Sequence, residues 1–168
     1  MIRVNNTTNN LESIQKVNDL INDIKVAMFT TISSDNKIMS CPMQTQEVEF
    51  DGELWFLTMK DTEKYQEIIS NPNVNLAYVG HSYVSISGMA EFIEDAAKKK
   101  EYWNLIFDKM LDTSYEDLNV VLIKVNADSA EYWDSGNMSK SVKTFVKKLT
   151  NKDTEKDHKK INDTVDFN

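Results

Sequence analysis

Three side chains near one another in the chain point to one kind of chemistry. Thr58, Thr62 and Lys64 offer two hydroxyls and a cation where a β-branched and aromatic run gives way to a helical one. A helix start exposes backbone N–H groups, so hydroxyls and an ammonium placed there suit a phosphate. Lys64 alone reads as an exposed helix lysine; its place after Thr58 and Thr62 makes it a candidate. Other reactive residues point to less. His81 and His158 have no second ligand at metal spacing, so no metal site is expected. Ser85 and Ser87 form the polar face of an alternating strand, with no histidine nearby to suggest a hydrolase triad. Cys41 is the only cysteine, which excludes an intrachain disulfide. It reads as a small strand residue packed near a bulge, since buried cysteines usually act as inert hydrophobes. Trp103 and Trp133 read as core or dimer-interface anchors. No side chain stands out as a general acid or base, and the catalytic residues are unknown at this level.

The elements that must position these groups follow from periodicity. Leu11, Ile14, Val17, Leu20, Ile21 and Ile24 recur at helical spacing, which predicts an amphipathic helix over residues 10–24, with Asn9 and Glu12 as a capping pair. Residues 26–32 read as a strand and Ser33 to Asn36 as a turn. A second strand is expected over residues 38–50. Pro42 inside it cannot donate to a ladder and must sit at an edge or bulge. Asp51 and Gly52, flanked by Phe50 and Leu54, give a type I′ hairpin signal. Asp61 and Thr62 are expected to cap a short helix that Pro72 terminates.

Strands at residues 74–79 and 83–93 follow, then one helix opening at Glu94 and Asp95 and running through Met110. The last strand, residues 119–126, contains Val120 to Ile123 and should be covered on both faces. A C-terminal helix is expected at about 138–149 and a frayed polar tail at 151–168. Short turns between most strands imply antiparallel pairing. Six such strands can close into a small barrel, which removes exposed edges. The expected fold is therefore α+β, with a barrel or strongly curled sheet.

Composition bounds the function. At 168 residues the chain fits one domain, expected over residues 1–150 with the barrel at about 25–134. A net charge of −8 argues against a nucleic-acid partner, because phosphate neutralisation needs a basic field. The lysine-rich stretch from Lys140 to Lys160 is interleaved with Asp153, Glu155 and Asp157 and reads as a solvated face. The polar first ten residues are no signal peptide and no run is long enough for a membrane helix, so no membrane partner and a cytoplasmic location are expected.

Several local strings then align in order with a known family. They are Ala27-Met28-Phe29-Thr30-Thr31 with Cys41-Pro42-Met43, and Leu54-Trp55-Phe56-Leu57-Thr58 with Asp61-Thr62-Glu63-Lys64. Asn71 to Leu76, Tyr83 to Glu91 and Ala130 to Asp134 continue the series over about residues 25–134. In this order and spacing the chain resembles the FMN-binding split barrels related to pyridoxamine 5'-phosphate oxidase, in their general stress protein branch rather than the oxidase proper. The resemblance implies a six-stranded antiparallel split β-barrel with flanking helices. It also implies a homodimer with FMN in two equivalent clefts at the subunit interface.

By the same resemblance, Cys41, Pro42, Met43, Leu57, Thr58, Thr62 and Lys64 are the cofactor-binding positions. Many relatives carry arginine directly before the Pro-Met pair, where this chain has Cys41. A thiol cannot reproduce a bidentate guanidinium contact, so either FMN affinity is lower or Lys64 carries more of the charge. The implied function is a flavoprotein that oxidises or reduces a small molecule. The alternatives are a flavin-binding or stress-response protein without turnover, or the same barrel holding haem or another flavin. Oxidase activity on pyridoxamine phosphate is not expected, because no basic substrate-phosphate cluster is recognisable near the C-terminus.

Overall fold

A computed structural model describes residues 7–46, 49–133 and 162–167. The chain runs α1 (Thr7–Ile21), β1 (Val26–Ile32), β2 (Ile38–Gln44), β3 (Glu53–Met59), α2 (Glu63–Ser70), β4 (Asn73–Val79) and β5 (Tyr83–Ile93). It continues with α3 (Ala96–Tyr102), α4 (Leu105–Leu111), β6 (Val120–Trp133) and β7 (Asn162–Asp166). All strand pairs are antiparallel, in the order β2-β1-β4-β5-β6-β3, with β7 added to β6. The fold is thus the expected α+β split barrel. Its end strands β2 and β3 approach each other without forming a ladder, leaving a seam.

Local chemistry explains the strand joints. The β1–β2 turn closes through Asn36, whose φ of 61° is a left-handed conformation that asparagine tolerates. At the β5–β6 bulge between Ser87 and Gly88, a Cβ on Gly88 would lie 2.3 Å from the Asn126 carbonyl oxygen. Only glycine permits that backbone approach. Pro42 lies on the edge strand β2, opposite Met28, where its missing N–H costs the sheet least.

Two cores share the sheet. Inside the curl, Phe29 meets Phe56 edge to face at 5.2 Å, among Leu76, Ile86 and Ile123, with Val17 and Ile21 of α1 closing one end. On the other face of β3 and β6, Trp55, Leu57, Val120 and Leu122 pack with Phe107 beneath α3 and α4. The alternation of β6 serves both layers, so Val120 to Ile123 are all fully buried, as their two-sided apolar run requires. Each large side chain so buried contributes roughly 1.5–3 kcal/mol.

The structure departs from the sequence expectations at five places, one of them the last barrel strand, expected over residues 119–126, which runs on as β6 to Trp133. The first helix starts at Thr7 rather than residue 10, so Asn9 and Glu12 lie within it. Asp51 and Gly52 do not form a hairpin, because β2 ends at Gln44 and β3 pairs with β6 instead. Only Gly52 takes a positive φ there, its carbonyl accepts from Ala127 N–H, and Phe50 turns into the core. The single helix expected after Asp95 is two helices. Asn104 breaks it by accepting the N–H groups of Ile106 (2.9 Å) and Phe107 (3.3 Å), the capping role asparagine favours over a helix interior.

Finally, the end of the supposed polar tail is a strand: β7 pairs with β6, Val165 is buried, and Phe167 meets Phe50 at 5.7 Å. A few apolar residues among charges suffice once an open strand edge is there to receive them. The sheet therefore has seven strands rather than six. The expected helix at 138–149 and His158 lie outside the described residues. Among those described, no helix is long and apolar enough to cross a membrane.

Candidate functional site

The seam collects most of the candidate residues, because β2 and β3 are the two sheet ends and α2 follows β3 directly. At the start of α2, Thr62 is the N-cap. Its Oγ1 accepts from Tyr65 N–H (3.3 Å) and donates to the Met59 carbonyl (2.8 Å). The hydroxyl proton is therefore committed to shaping the turn. The N–H groups of Glu63 and Lys64, in the first turn, have no acceptor within the helix. The helix is held to the sheet by Thr31, whose buried hydroxyl donates to the Glu67 carboxylate at 2.6 Å.

Lys64 is half-buried and places Nζ 3.0 Å from the Met43 sulfur across the seam. A thioether is a weak acceptor and no counter-ion. Among the described residues no carboxylate pairs with Lys64, whereas the neighbouring Lys60 forms an ion pair with Glu94. Lys64 is thus a cation at this helix start without a carboxylate partner among the described residues.

The remaining candidates divide by face. Cys41 and Met43 turn toward the inner core, opposite Phe29 and Ala27, while Pro42 projects outward at the sheet edge. Thr58 is buried on the same face of β3 as Phe56, but Leu57 faces the second core with Phe107. Side-chain geometry therefore joins Met43 with Lys64, and Thr62 with the turn that carries Lys64. It leaves Leu57 on the far side of β3. Among the described residues no group of histidine, cysteine and carboxylates has the geometry of a metal site. His81 is exposed in the β4–β5 turn, and Trp103 stacks on Phe107 at 5.8 Å in the second core.

Sequence reasoning missed Met43 as the partner of Lys64, because the two lie on elements that only the folded seam joins. It also missed Tyr78, whose ring is buried and whose hydroxyl, raised in pKa by burial, has no partner among the described residues. A tyrosine at the inward position of the Val74, Leu76, Tyr78 alternation was the available signal.

Comparison with known proteins agrees with this fold. The family described as pyridoxamine 5'-phosphate oxidase like matches residues 12–157. General stress protein 26 of Bacillus subtilis (strain 168) is 28% identical over 130 residues, covering 73% of this chain and 89% of that protein. The crystal structure of general stress protein 26 from Bacillus anthracis str. Sterne superposes with a TM-score of 0.64 at 28% identity, over 72% of this chain and 93% of that one. A general stress protein 26-type structure from Jannaschia sp. CCS1 matches the fold with a TM-score of 0.69 at 20% identity, covering 94% of this chain and 99% of that one.

Proposed function

The chain belongs to the pyridoxamine 5'-phosphate oxidase-like family, in its general stress protein branch, and from that premise we propose that it is an FMN-binding oxidoreductase acting on a small molecule. The observation that carries the reading is the Lys64 ammonium, held at the first turn of α2 against a thioether and with no carboxylate partner among the described residues. A phosphate fits there. Lys64 supplies charge, the first-turn N–H groups of α2 supply donors, and Thr62 fixes the turn. Cys41, Pro42 and Met43 on β2 and Thr58 on β3 border the seam where the ring system would lie. Leu57 reaches it through its backbone alone. When bound, the flavin supplies the hydride or electron chemistry, while the chain binds and orients it.

A homodimer is part of this reading. On the outer face of β2, β1, β4 and β5, Pro42, Met28, Ala77 and Ser85 lie in register. Thr30 with Ser40 (3.1 Å), and Asn75 with Ser85 (2.9 Å), satisfy one another within that face. A surface of small residues with internally satisfied polar groups suits burial against a second copy, and two-fold pairing is the commonest closed arrangement.

The test is the absorbance spectrum of the purified protein, after addition of FMN and removal of excess, followed by anaerobic NADH or NADPH. A retained flavin band that bleaches supports the oxidoreductase. A band that persists under both donors assigns a binding role without turnover with these donors. Failure to retain FMN overturns the proposal.

A further inference from the structure

Met43 has an uncommon neighbour for a core methionine. Thioethers pack well against apolar and aromatic surface, and Met43 does belong to the inner core. Its sulfur nevertheless lies 3.0 Å from the Lys64 ammonium nitrogen. Met43 is 8% exposed, and the lysine that meets its sulfur is itself only half-buried, so the contact lies at the seam. The strands on the two sides of that seam, β2 and β3, share no ladder, so a local opening there breaks no hydrogen bonds between them. An ammonium beside a thioether has two chemical consequences. It can give a proton to the group that leaves when an oxidant attacks the sulfur, and it can donate to the oxygen that the sulfur gains.

We propose that Met43 is an oxidation site that controls the Lys64 end of the seam, with hydrogen peroxide as the oxidant. A sulfur lone pair attacks one peroxide oxygen and the O–O bond breaks, so the sulfur is oxidised by two electrons and the peroxide is reduced. The departing hydroxide takes a proton from Lys64 Nζ and leaves as water. The hydroxysulfonium then returns its own proton to Nζ. The net change is thioether and hydrogen peroxide to sulfoxide and water, with the ammonium restored. A thioether is a weak acceptor, whereas the sulfoxide oxygen is a strong one and holds the ammonium that a phosphate would otherwise meet. That consequence rests on the reading of the seam as an FMN site; the oxidation itself does not.

Peptide mass spectrometry of the full-length protein, treated with hydrogen peroxide and without added flavin, tests the chemistry. Met110 on α4 is 58% exposed and serves as the internal reference. Met43 should gain one oxygen at a rate within about tenfold of Met110 despite its burial. Lys64→Leu keeps the sulfur covered and removes the proton donor, so it should slow Met43 at least about fivefold relative to Met110. Flavin titration then tests the consequence. Oxidised wild type should bind FMN about tenfold more weakly than untreated protein, as for a lost charge-assisted bond, and riboflavin equally well. In Met43→Leu, or Met43→Ile should that variant not fold, peroxide should leave the FMN affinity at its untreated value. An unreactive Met43, undiminished oxidation in Lys64→Leu, equal weakening of FMN and riboflavin, or the same peroxide effect without Met43 would each overturn the proposal. A protein that binds no FMN yet oxidises Met43 with the help of Lys64 overturns the reading of the seam and keeps the modification site, so the two failures are told apart.

Discussion

Lys99 and Lys64 sit on short helices at opposite sides of the sheet, and their surroundings could hardly differ more. Lys99 of α3 is 4% exposed and donates to the carbonyls of Val120 (3.0 Å) and Asp117 (3.3 Å). Its stem is packed where the chain enters β6, and its charge is met by backbone dipoles. Lys64 of α2 is half-buried, crosses the seam, and meets only the sulfur of Met43 among the described residues. A buried ammonium with strong acceptors belongs to the architecture. One held in place without them is available to a ligand.

The largest effect should come from the structural member of the pair. Lys99→Ala leaves two buried carbonyls without their donor and removes the packing of the stem, a loss of about 3 kcal/mol in folding stability. Urea unfolding at neutral pH measures it. Flavin content per folded molecule should stay unchanged. A loss below 1 kcal/mol would erase the contrast, by showing that water replaces the ammonium at no cost.

Lys64→Ala sharpens the comparison from the other side. Its folding stability should move by less than about 0.5 kcal/mol, since no strong bond is lost. FMN binding should weaken by roughly 1.5–3 kcal/mol, the range of a charge-assisted hydrogen bond, while riboflavin, which lacks the phosphate, should bind as before. Equal weakening of both ligands would make Lys64 a folding residue like Lys99. No weakening of either would remove it from the site.

These two lysines also show what a sequence can disclose. The place of Lys64 in the first turn of a helix was legible because it follows a strand end and an N-cap threonine, a local pattern with a physical reason. Most strands were legible for the same kind of reason, since alternation and turn chemistry are written in neighbouring residues. Lys99 was not, because its acceptors come from residues some twenty positions later and its burial is decided by tertiary packing. Asp51 and Gly52 misled for the converse reason. The dipeptide fits a tight hairpin, yet β3 gains more by pairing with β6, which buries it on both faces. β7 was hidden because its apolar content is too small to declare itself without the β6 edge that receives it.

A third lysine supplies the weak limit of the comparison. Lys124 of β6 reaches Glu91 at 2.7 Å and Glu53 at 3.5 Å, on an outer face where Glu91 stays half exposed. Asn126 donates to the same Glu91 oxygen at 2.9 Å. The hydrogen bond from Lys124, then that from Asn126, holds the Glu91 carboxyl below its usual range, and the Glu91 bond raises Lys124 above its own. The signs define a window. The carboxylate's contribution is present above the ordinary glutamate value of 4.5 and is lost as pH falls through the lower folded value. The ammonium's is present below 10.5 and is lost as pH rises through the higher folded value. Because the pair is solvated, the whole contribution is about 0.5 kcal/mol. Glu91→Gln should therefore be less stable than wild type by that amount at pH 7, and the gap should close in acid and shrink in molar salt. Urea midpoints at pH 7 and pH 2.5 check it. A gap that persists in acid would show that Glu91 acts through packing, and would move Lys124 toward the structural kind that Lys99 represents.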